Sequence, residues 1–208
     1  MQAAAAVSVK IEKRKGNQFG GSKMNDDELV FRARNGNMQA FAELIDIHTP
    51  TVKRFAFQLG NKYDDIDDIT QEVFVRVYRF LDQFSHAKFT TWLYKITLNV
   101  TRDFARSKQR QIKKVLKIGK ERSYDGKTAE ESILRYEEDR TLHECIQKLD
   151  EKYRIPIVLF YFHDKSYDEI AEITGASLAN VKTRMSRGKE HLKKLLTLAE
   201  KKEGVNHG

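Results

Sequence analysis

A chain of 208 residues with 40% hydrophobic and 33% charged side chains suits a protein that folds in water as two small domains or one larger one. Its formal net charge of +8 favours a polyanionic partner, although charge alone does not identify one. The single cysteine, Cys145, excludes an intramolecular disulfide, and no apolar run approaches the roughly 20 residues that a membrane-spanning helix requires.

Residues 1–23 differ in composition from the rest of the chain. They mix small residues with scattered lysines and glycines and have no apolar period, which predicts disorder. Gly20, Gly21, Ser22 and Lys23 stand directly before Met24, and two adjacent glycine codons can encode a purine-rich ribosome-binding site. The hypothesis is that Met24 is the true start and that the preceding residues are translated leader or sequence added by cloning.

Residues 24–110 show four apolar stripes at helical spacing, which predicts a helical bundle with one core. Asn25 is the expected N-cap of the first helix, Asn35-Gly36-Asn37 ends it, and Pro50 is expected to bend the second. The four stripes are Leu29, Val30 and Ala33; Phe41, Leu44, Ile45, His48, Val52, Phe55, Ala56 and Leu59; Ile66, Ile69, Val73, Phe74, Val77, Phe80 and Leu81; and Phe89, Leu93, Ile96 and Val100.

A polar, charged segment separates this bundle from a second one. Residues 111–131 keep little apolar period, which predicts a flexible charged linker, helical at most at its edges. Apolar stripes return over residues 132–198, and 199–208 form a short tail. The predicted fold class is therefore all-α, with two small helical domains joined by the linker.

A helix-turn-helix is the strongest local motif, over residues 166–185. Ser166 and Glu169 form a predicted capping box, Gly175 suits a left-handed turn, and Ser177 can cap the next helix. The buried stripe expected for that helix is Leu178, Val181, Met185, Leu192 and Leu195. Its opposite face presents polar and basic side chains suited to base edges and phosphates, namely Asn180, Lys182, Thr183, Arg184, Arg187 and Lys189.

Two blocks in the N-terminal half narrow the function further. The run Asp68-Ile-Thr-Gln-Glu-Val-Phe74, followed by Phe84 and by Phe89-Thr-Thr-Trp-Leu-Tyr-Lys-Ile96 with Asn99, closely resembles conserved region 2 of the extracytoplasmic-function (ECF) sigma factors. Residues 138–198 resemble region 4 of the same family, with a charged linker in place of region 3. The resemblance implies an initiation factor that binds core RNA polymerase and directs it to promoter DNA.

The resemblance implies a polymerase-binding role for one face of the third helix. In the family this face grips the coiled-coil clamp of the largest polymerase subunit, and it corresponds here to Asp68, Gln71 and Glu72. An acidic, hydrogen-bonding surface suits a basic partner. The alternative, that the aspartates only cap the helix, stays open, because Asp64 and Asp65 stand where a cap would and both roles are compatible.

The resemblance also implies contacts with the −10 promoter element. Residues 83–88 match the loop that accepts a flipped base, and Asn99 matches a position beside that pocket. Trp92 aligns with the strand-opening region, although a lone tryptophan at helical spacing is more often a core residue. The facing of Tyr94 and Lys95 is not fixed by the sequence. The −10 residues implied are His86, Lys88, Trp92, Asn99, Arg102 and Arg106, with Lys108 and Arg110 on nearby phosphates.

The −35 element is the partner that the resemblance implies for the helix-turn-helix. The residues implied are Ser177, Asn180, Lys182, Thr183, Arg184, Ser186 and Arg187. Ser186 stands where larger side chains can occur, which leaves the base preference open. Family members are commonly held inactive by an anti-sigma factor, often membrane-bound, so such a partner is expected, as is a cytoplasmic location without membrane insertion of the chain itself.

Two other classes of function remain as alternatives. A helix-turn-helix regulator with a sensing or dimerising N-terminal bundle would bind duplex DNA without polymerase, but it leaves the 68–74 and 89–99 blocks unexplained. An enzyme is the more distant alternative, since the sequence offers no Gly-rich phosphate loop, no metal cluster and no nucleophile–base arrangement. We therefore expect no catalytic residue, no metal and no cofactor.

Overall fold

The computed structural model describes residues 23–85, 88–117 and 140–205, and the regular secondary structure of these residues is entirely helical. They form two compact units, one on each side of residues 118–139. The predicted all-α fold class is confirmed. Most of the predicted leader, His86, most of the predicted linker and the end of the tail lie outside the described residues.

In the described part of the first unit, four α-helices are joined by short turns. They are α1 (Lys23–Arg34), α2 (Met38–Gln58), α3 (Ile66–Phe80) and α4 (Phe89–Lys117). Single 3₁₀ turns at Tyr63–Asp65 and Leu81–Gln83 precede and follow α3. The helix α4 runs seven residues past the limit drawn at residue 110, because strong helix formers continue there without a glycine or proline.

The core of the first unit is built from the four predicted stripes. Leu44, Ile69, Val73 and Leu93 are among the side chains that are almost wholly buried where the helices meet. Phe80 departs from the prediction, since 38% of its surface is exposed while the adjacent Leu81 is buried. The helix ends at Phe80, and the 3₁₀ turn that follows moves Leu81 onto the core side.

The connection between α1 and α2 shows how local sequence sets helix ends. Gly36 has a left-handed φ of 83°, and the N–H groups of Gly36 and Asn37 donate to the carbonyls of Ala33 and Arg32. Asn37 then caps α2 by accepting from the N–H of Ala40. The N-cap predicted at Asn25 is wrong, because α1 already begins at Lys23.

Two features of α2 bear on the prediction for this helix. The helix continues through Pro50 to Gln58, so the proline does not divide it. His48 is buried, as predicted for its stripe, and its Nε2 lies 3.0 Å from Oδ1 of Asp26 on α1. This polar contact satisfies a buried ring nitrogen and joins the first two helices.

The second unit contains α5 (Arg140–Gln147), α6 (Glu151–Phe162), α7 (Tyr167–Thr174) and α8 (Leu178–Val205). Val158, Leu159 and Ile170 lie in its core together with the buried side chain of Cys145. The helix α8 runs past the predicted domain limit at residue 198, through a segment that consists mainly of the helix formers glutamate and lysine.

The buried stripe of α8 differs from the predicted one at both ends, and at its start Leu178 is only half-buried. Val181, Met185 and Leu192 are buried as expected, but Leu196 rather than Leu195 completes the stripe, and Leu195 is half-buried. The step from 192 to 196 is one helical turn of four residues, whereas a step of three turns the side chain towards the edge of the interface.

Among the described helices, none has both the length and the apolar character that a bilayer span needs. The described residues also contain no group of three or more side chains placed to hold a metal ion.

Candidate functional site

An acidic and polar face of α3 points into solvent. Asp67, Asp68 and Gln71 are exposed, while Ile69 and Val73 on the opposite face are buried. The two aspartates lie in the first turn of the helix, where the positive end of the helix dipole favours them. Asp68 and Gln71 are therefore available to a partner.

Asp65 stands at the cap position expected for it, but its carboxylate makes an ion pair there rather than a capping hydrogen bond. Asp65 occupies the N-cap position but its side chain makes no capping hydrogen bond, since its backbone is helical (φ −88°, ψ −11°) rather than extended. Its carboxylate instead accepts from Nζ of Lys108 on α4 at 2.6 Å. Lys108, predicted to hold a DNA phosphate, is thus engaged in an ion pair between α3 and α4.

A groove with a volume of about 540 Å³ lies between α2 and α3, next to Gln71. Its floor and walls are largely apolar, and a Lys53–Asp67 ion pair of 2.6 Å joins the two helices at one end. Met38 is 59% exposed and Tyr78 is 58% exposed, which is unusual for large apolar or aromatic side chains that line one groove. The apolar lining includes Met38, Phe41, Ile45, Phe74, Val75 and Tyr78.

Glu72 is held differently from Asp68 and Gln71. It is half-buried and accepts from Nε of Arg76 at 2.7 Å. Nη1 of the same arginine donates to Asp103 on α4 at 2.8 Å. Asp103 also accepts from Arg106. A chain of alternating charges thus runs from α3 to α4, through Glu72, Arg76, Asp103 and Arg106.

The charges in this chain shift one another's pKa. Burial acts to lower the pKa of Arg76, but its hydrogen bonds to Asp103 and Glu72 outweigh burial and raise that pKa. The hydrogen bond from Arg76 holds the pKa of Asp103 below its ordinary value, against the opposing effect of partial burial, with Arg106 contributing in the same direction. Both groups are therefore charged throughout the physiological pH range.

We expect Asp103→Asn to destabilise the first unit by less than about 1 kcal/mol at neutral pH, because both ion pairs are partly exposed to solvent. Since the folded pKa of Asp103 is lowered, its stabilisation is fully present above the unfolded pKa and is lost as the pH falls through the folded value. Urea unfolding at several pH values should therefore show a difference in the free energy of unfolding between the two proteins that disappears in acid. A difference that stays constant at all pH values would contradict this role for the carboxylate.

Four of the side chains predicted to touch the −10 element, those of Trp92, Asn99, Arg102 and Arg106, belong to α4, and Lys88 directly precedes this helix. Positions 88, 92, 95, 99, 102 and 106 are spaced by alternating steps of four and three residues, which places them along one side of a helix. Asn99 is exposed although its neighbours Leu98 and Val100 are buried, so its amide points away from the core. We name this surface the α4 polar face; it consists of Lys88, Trp92, Lys95, Asn99, Arg102 and Arg106.

Trp92 packs partly into the core and stays partly accessible to solvent. Its ring packs against Phe84 at 5.1 Å and Phe89 at 6.0 Å between ring centroids, yet the side chain is only half-buried. The facing of its neighbours is also resolved, because Tyr94 is buried edge-on against Phe55 while Lys95 is exposed. Tyr94 therefore belongs to the core and Lys95 to the α4 polar face.

The predicted helix-turn-helix is confirmed in its local geometry. Ser166 and Glu169 form a complete capping box, and Gly175 has a left-handed φ of 69°. Ser177 accepts from the N–H of Asn180 at 3.3 Å, so its side chain caps α8. The polar face that follows is exposed except for Arg184, which is half-buried; the exposed members are Asn180, Lys182, Thr183, Ser186, Arg187 and Lys189.

Comparison with known proteins matches both units to one family. The Sigma-70 region 2 model matches residues 44–111, and the Sigma-70 region 4 model matches residues 139–192. The ECF RNA polymerase sigma factor SigW of Bacillus subtilis is 33% identical over 176 residues, which cover 80% of this chain and 94% of SigW. The chain belongs to the ECF sigma factors. It is therefore a promoter-specific transcription initiation factor and not an enzyme.

Other similar proteins agree with this assignment. The RNA polymerase sigma factor NccH of Alcaligenes xylosoxydans xylosoxydans is 31% identical, with 82% of this chain and 94% of NccH covered. Among solved structures, the sigma factor CnrH in complex with the cytosolic domain of CnrY has a TM-score of 0.62 and 26% identity, and the match covers 84% of this chain and 98% of CnrH.

Sequence reasoning missed two parts of this sigma factor. The groove between α2 and α3 was not foreseen, although Val75 and Tyr78, apolar or aromatic side chains one turn apart and off the buried stripe, were a readable signal. Gly188 was also missed: it is buried in the interface between α8 and α6, where an added Cβ would lie 2.8 Å from Cδ1 of Ile157. A glycine inside a helix was the only sign of that close approach.

Proposed function

We propose that this sigma factor docks on core RNA polymerase through the groove between α2 and α3 and the polar rim beside it. The rim offers the exposed carboxylate of Asp68 and the exposed amide of Gln71. An apolar groove flanked by acidic and amide groups suits a helical partner that carries apolar and basic side chains on one face. Glu72 contributes through its charge from a half-buried position, where Arg76 holds it.

We propose that the α4 polar face binds the −10 element. Its one-sided alignment is the observation that carries this proposal, because an amide, an aromatic ring and several cations then face the same ligand. The amide of Asn99 can donate to and accept from the edge of an unstacked base, and Trp92 offers part of its ring for stacking. Arg102 and Arg106 complete the surface by binding the flanking phosphates.

Strand opening then requires no chemical step. Flipping a base out of a duplex costs a few kcal/mol, and binding free energy from its capture offsets that cost. Asp103 limits the affinity of this surface for DNA, since its carboxylate competes with phosphate for Arg106. The proposed residues thus favour specific capture over nonspecific attraction to any polyanion.

We propose that the exposed face of α8 reads the −35 element in the major groove. The N-terminal turns of this helix present amide, hydroxyl and guanidinium groups on the side opposite Val181 and Met185. The hydroxyl of Thr183 donates to the carbonyl of Ala179, which leaves its oxygen free to accept from a base or a water molecule. Ser177 acts mainly through the cap that fixes the start of the helix.

Replacing Arg187 by alanine should weaken binding to the −35 duplex by about tenfold, the loss expected for one guanidinium contact with DNA. Lys193→Ala is the matched control, since it removes a charge from an exposed position further along the same helix. Fluorescence anisotropy at several salt concentrations gives both affinities. Equal affinities of the two variants and the unchanged protein would contradict the placement of Arg187 at the DNA.

An anti-sigma factor is the further partner that we propose. The related sigma factor CnrH is known in complex with the cytosolic domain of CnrY. A regulator that covers the same groove would exclude polymerase, because one apolar surface cannot pack against two partners at once. We infer that the protein acts in the cytoplasm, where polymerase and chromosomal DNA are found.

Run-off transcription with purified core polymerase and genomic fragments tests the proposed function directly. Transcripts that start at defined sites and require the added protein are the expected result. The competing hypothesis is a helix-turn-helix regulator. Such a protein would bind specific duplex sites in the absence of core polymerase and would yield no such transcript.

A further inference from the structure

Arg34, at the end of α1, is bonded to the segment that follows α3. One guanidinium nitrogen donates to the carbonyl of Phe84 at 3.1 Å, and the other donates to the carbonyl of Asp82 at 3.0 Å. These contacts span about fifty positions of sequence and reach backbone atoms. They therefore fix the path of the chain rather than the rotamer of one side chain.

The position of Arg34 is itself fixed from two sides. Leu29 and Val30 on the same helix are buried in the core of the first unit, which holds α1 in place. The helix ends directly after Arg34, where Gly36 in its left-handed conformation donates to the carbonyl of Ala33. A cation in the last turn is also favoured by the helix dipole.

The segment that Arg34 holds carries Phe84, which packs against Trp92 of the α4 polar face. The ring of Phe84 packs against Trp92 with centroids 5.1 Å apart and meets Phe89 edge-on at 6.1 Å. Trp92 thus has a neighbour whose backbone is tied to α1. The contacts lead from Arg34 to the Phe84 carbonyl, from the Phe84 ring to Trp92, and so to the proposed −10 surface.

We infer that Arg34 is a positioning residue for −10 recognition, which it supports by fixing Phe84 and, through Phe84, the ring of Trp92. The inference rests on the proposed role of the α4 polar face. Arg34 lies outside residues 44–111, the part of the chain that the region 2 model matches. Only a planar, forked donor reaches both carbonyls, so lysine, with its single ammonium group, is a partial substitute.

Trp92, the only tryptophan of the chain, gives a first measurement that needs no DNA. In Arg34→Ala the Phe84 segment is released, and acrylamide should quench the Trp92 emission more strongly than in the unchanged protein. Arg34→Lys should give an intermediate value. Arg32→Ala, which removes a like charge from the same turn, should leave quenching unchanged. Equal quenching in Arg34→Ala and the unchanged protein would overturn the positioning role.

A second measurement tests DNA discrimination in the complete holoenzyme. Core polymerase with each variant selects from a pool of single-stranded oligonucleotides with six randomised bases, and the bound fraction is sequenced. We expect Arg34→Ala to reduce the enrichment of the preferred sequence by about fivefold, as for the loss of one net hydrogen bond, with the affinity for core polymerase unchanged. Arg34→Lys should recover part of the enrichment.

The two ways in which this expectation can fail are distinguishable. If the unchanged holoenzyme enriches no sequence, the proposed −10 role of the first unit is wrong, whereas the quenching measurement still reports on the Arg34 contacts. If the unchanged holoenzyme and Arg34→Ala enrich the same sequence equally, the −10 role stands and the inference about Arg34 is wrong. A loss of core affinity in Arg34→Ala that accounts for the whole effect would also overturn it.

Discussion

Asp68→Ala combined with Gln71→Ala should weaken binding to core RNA polymerase by about 100-fold while the protein stays folded. Both side chains are exposed on α3 beside the groove, on the side opposite the buried Ile69 and Val73. A loss of this size is typical when two central side chains of an interface are removed together. Surface electrostatics contributes further, because the acidic carboxylate steers a basic partner towards the groove.

The stability of the double variant should change little. The substitution removes the favourable interaction that Asp68 makes with the N-terminal end of the helix dipole, but alanine has the highest helix propensity, which offsets part of that loss. Far-UV circular dichroism and thermal unfolding should therefore match those of the unchanged protein closely. A weakened complex then reflects a lost contact rather than a lost fold.

Asp82→Ala with Gln83→Ala provides the matched control for core binding. These residues have the same two side-chain types, are also exposed, and lie on the turn after α3. The carbonyl of Asp82 that Arg34 holds is retained in this variant. Core affinity, measured without DNA, should be unchanged in the control. Similar affinities of the two double variants would show that the groove and its rim are not the docking surface.

Features that depend on a few consecutive residues were predictable from sequence. The capping box of Ser166 and Glu169, the left-handed Gly175 and the cap at Ser177 each involve atoms within three or four positions, and all three are present. The buried stripes of the first unit were predictable for the same reason, since helical periodicity alone decides which side chains face a neighbour.

Features that depend on two distant helices were not predictable in this way. Asp65 occupies its expected cap position, but the packing of α3 against α4 pairs its carboxylate with Lys108, which was expected at DNA. The alternating charges of Arg76 and Asp103 have the same origin, 27 positions apart. The periodicity of each helix does not specify which charged residues form ion pairs across the two helices. Those partners depend on how the helices cross.

The proposed polymerase-docking surface on α3 and the α4 polar face differ in how much of each could be predicted from the sequence. The face of α3 that carries Asp68 and Gln71 could be read from the sequence, but the groove that gives this face its apolar neighbour could not. On α4, spacing alone aligns the polar side chains, whereas the half-buried position of Trp92 depends on Phe84 and Phe89 from the preceding segment and the first turn of the helix. The resemblance to the ECF sigma factors implied a role for each of these residues, whereas the packing of the helices determines which of their side chains are accessible to a partner.

Gly188 supports the second large prediction, which concerns the second unit. A Cβ built at this position would lie 2.8 Å from Cδ1 of Ile157 and 3.3 Å from Cβ of Tyr153, so α8 approaches α6 here as closely as a glycine allows. The tip of Ile157 can move aside, but Cβ of Tyr153 is fixed by its backbone. For alanine, the strain is offset by a gain in helix propensity of about 1 kcal/mol. For leucine, the added volume has no space on the α6 side.

Gly188→Leu should therefore lower the free energy of unfolding of the second unit by about 2 kcal/mol or more, the cost of overpacking a tight helix interface. Trp92 lies in the first unit, so its emission follows that unit alone during urea unfolding, while far-UV circular dichroism follows both. We expect the circular dichroism transition of Gly188→Leu to begin at a lower urea concentration and the midpoint of the emission transition to stay unchanged. Lys189→Leu, at the exposed neighbouring position, should change neither transition. An unchanged circular dichroism midpoint for Gly188→Leu would mean that α6 and α8 are not held together at Gly188, and that other contacts position α8.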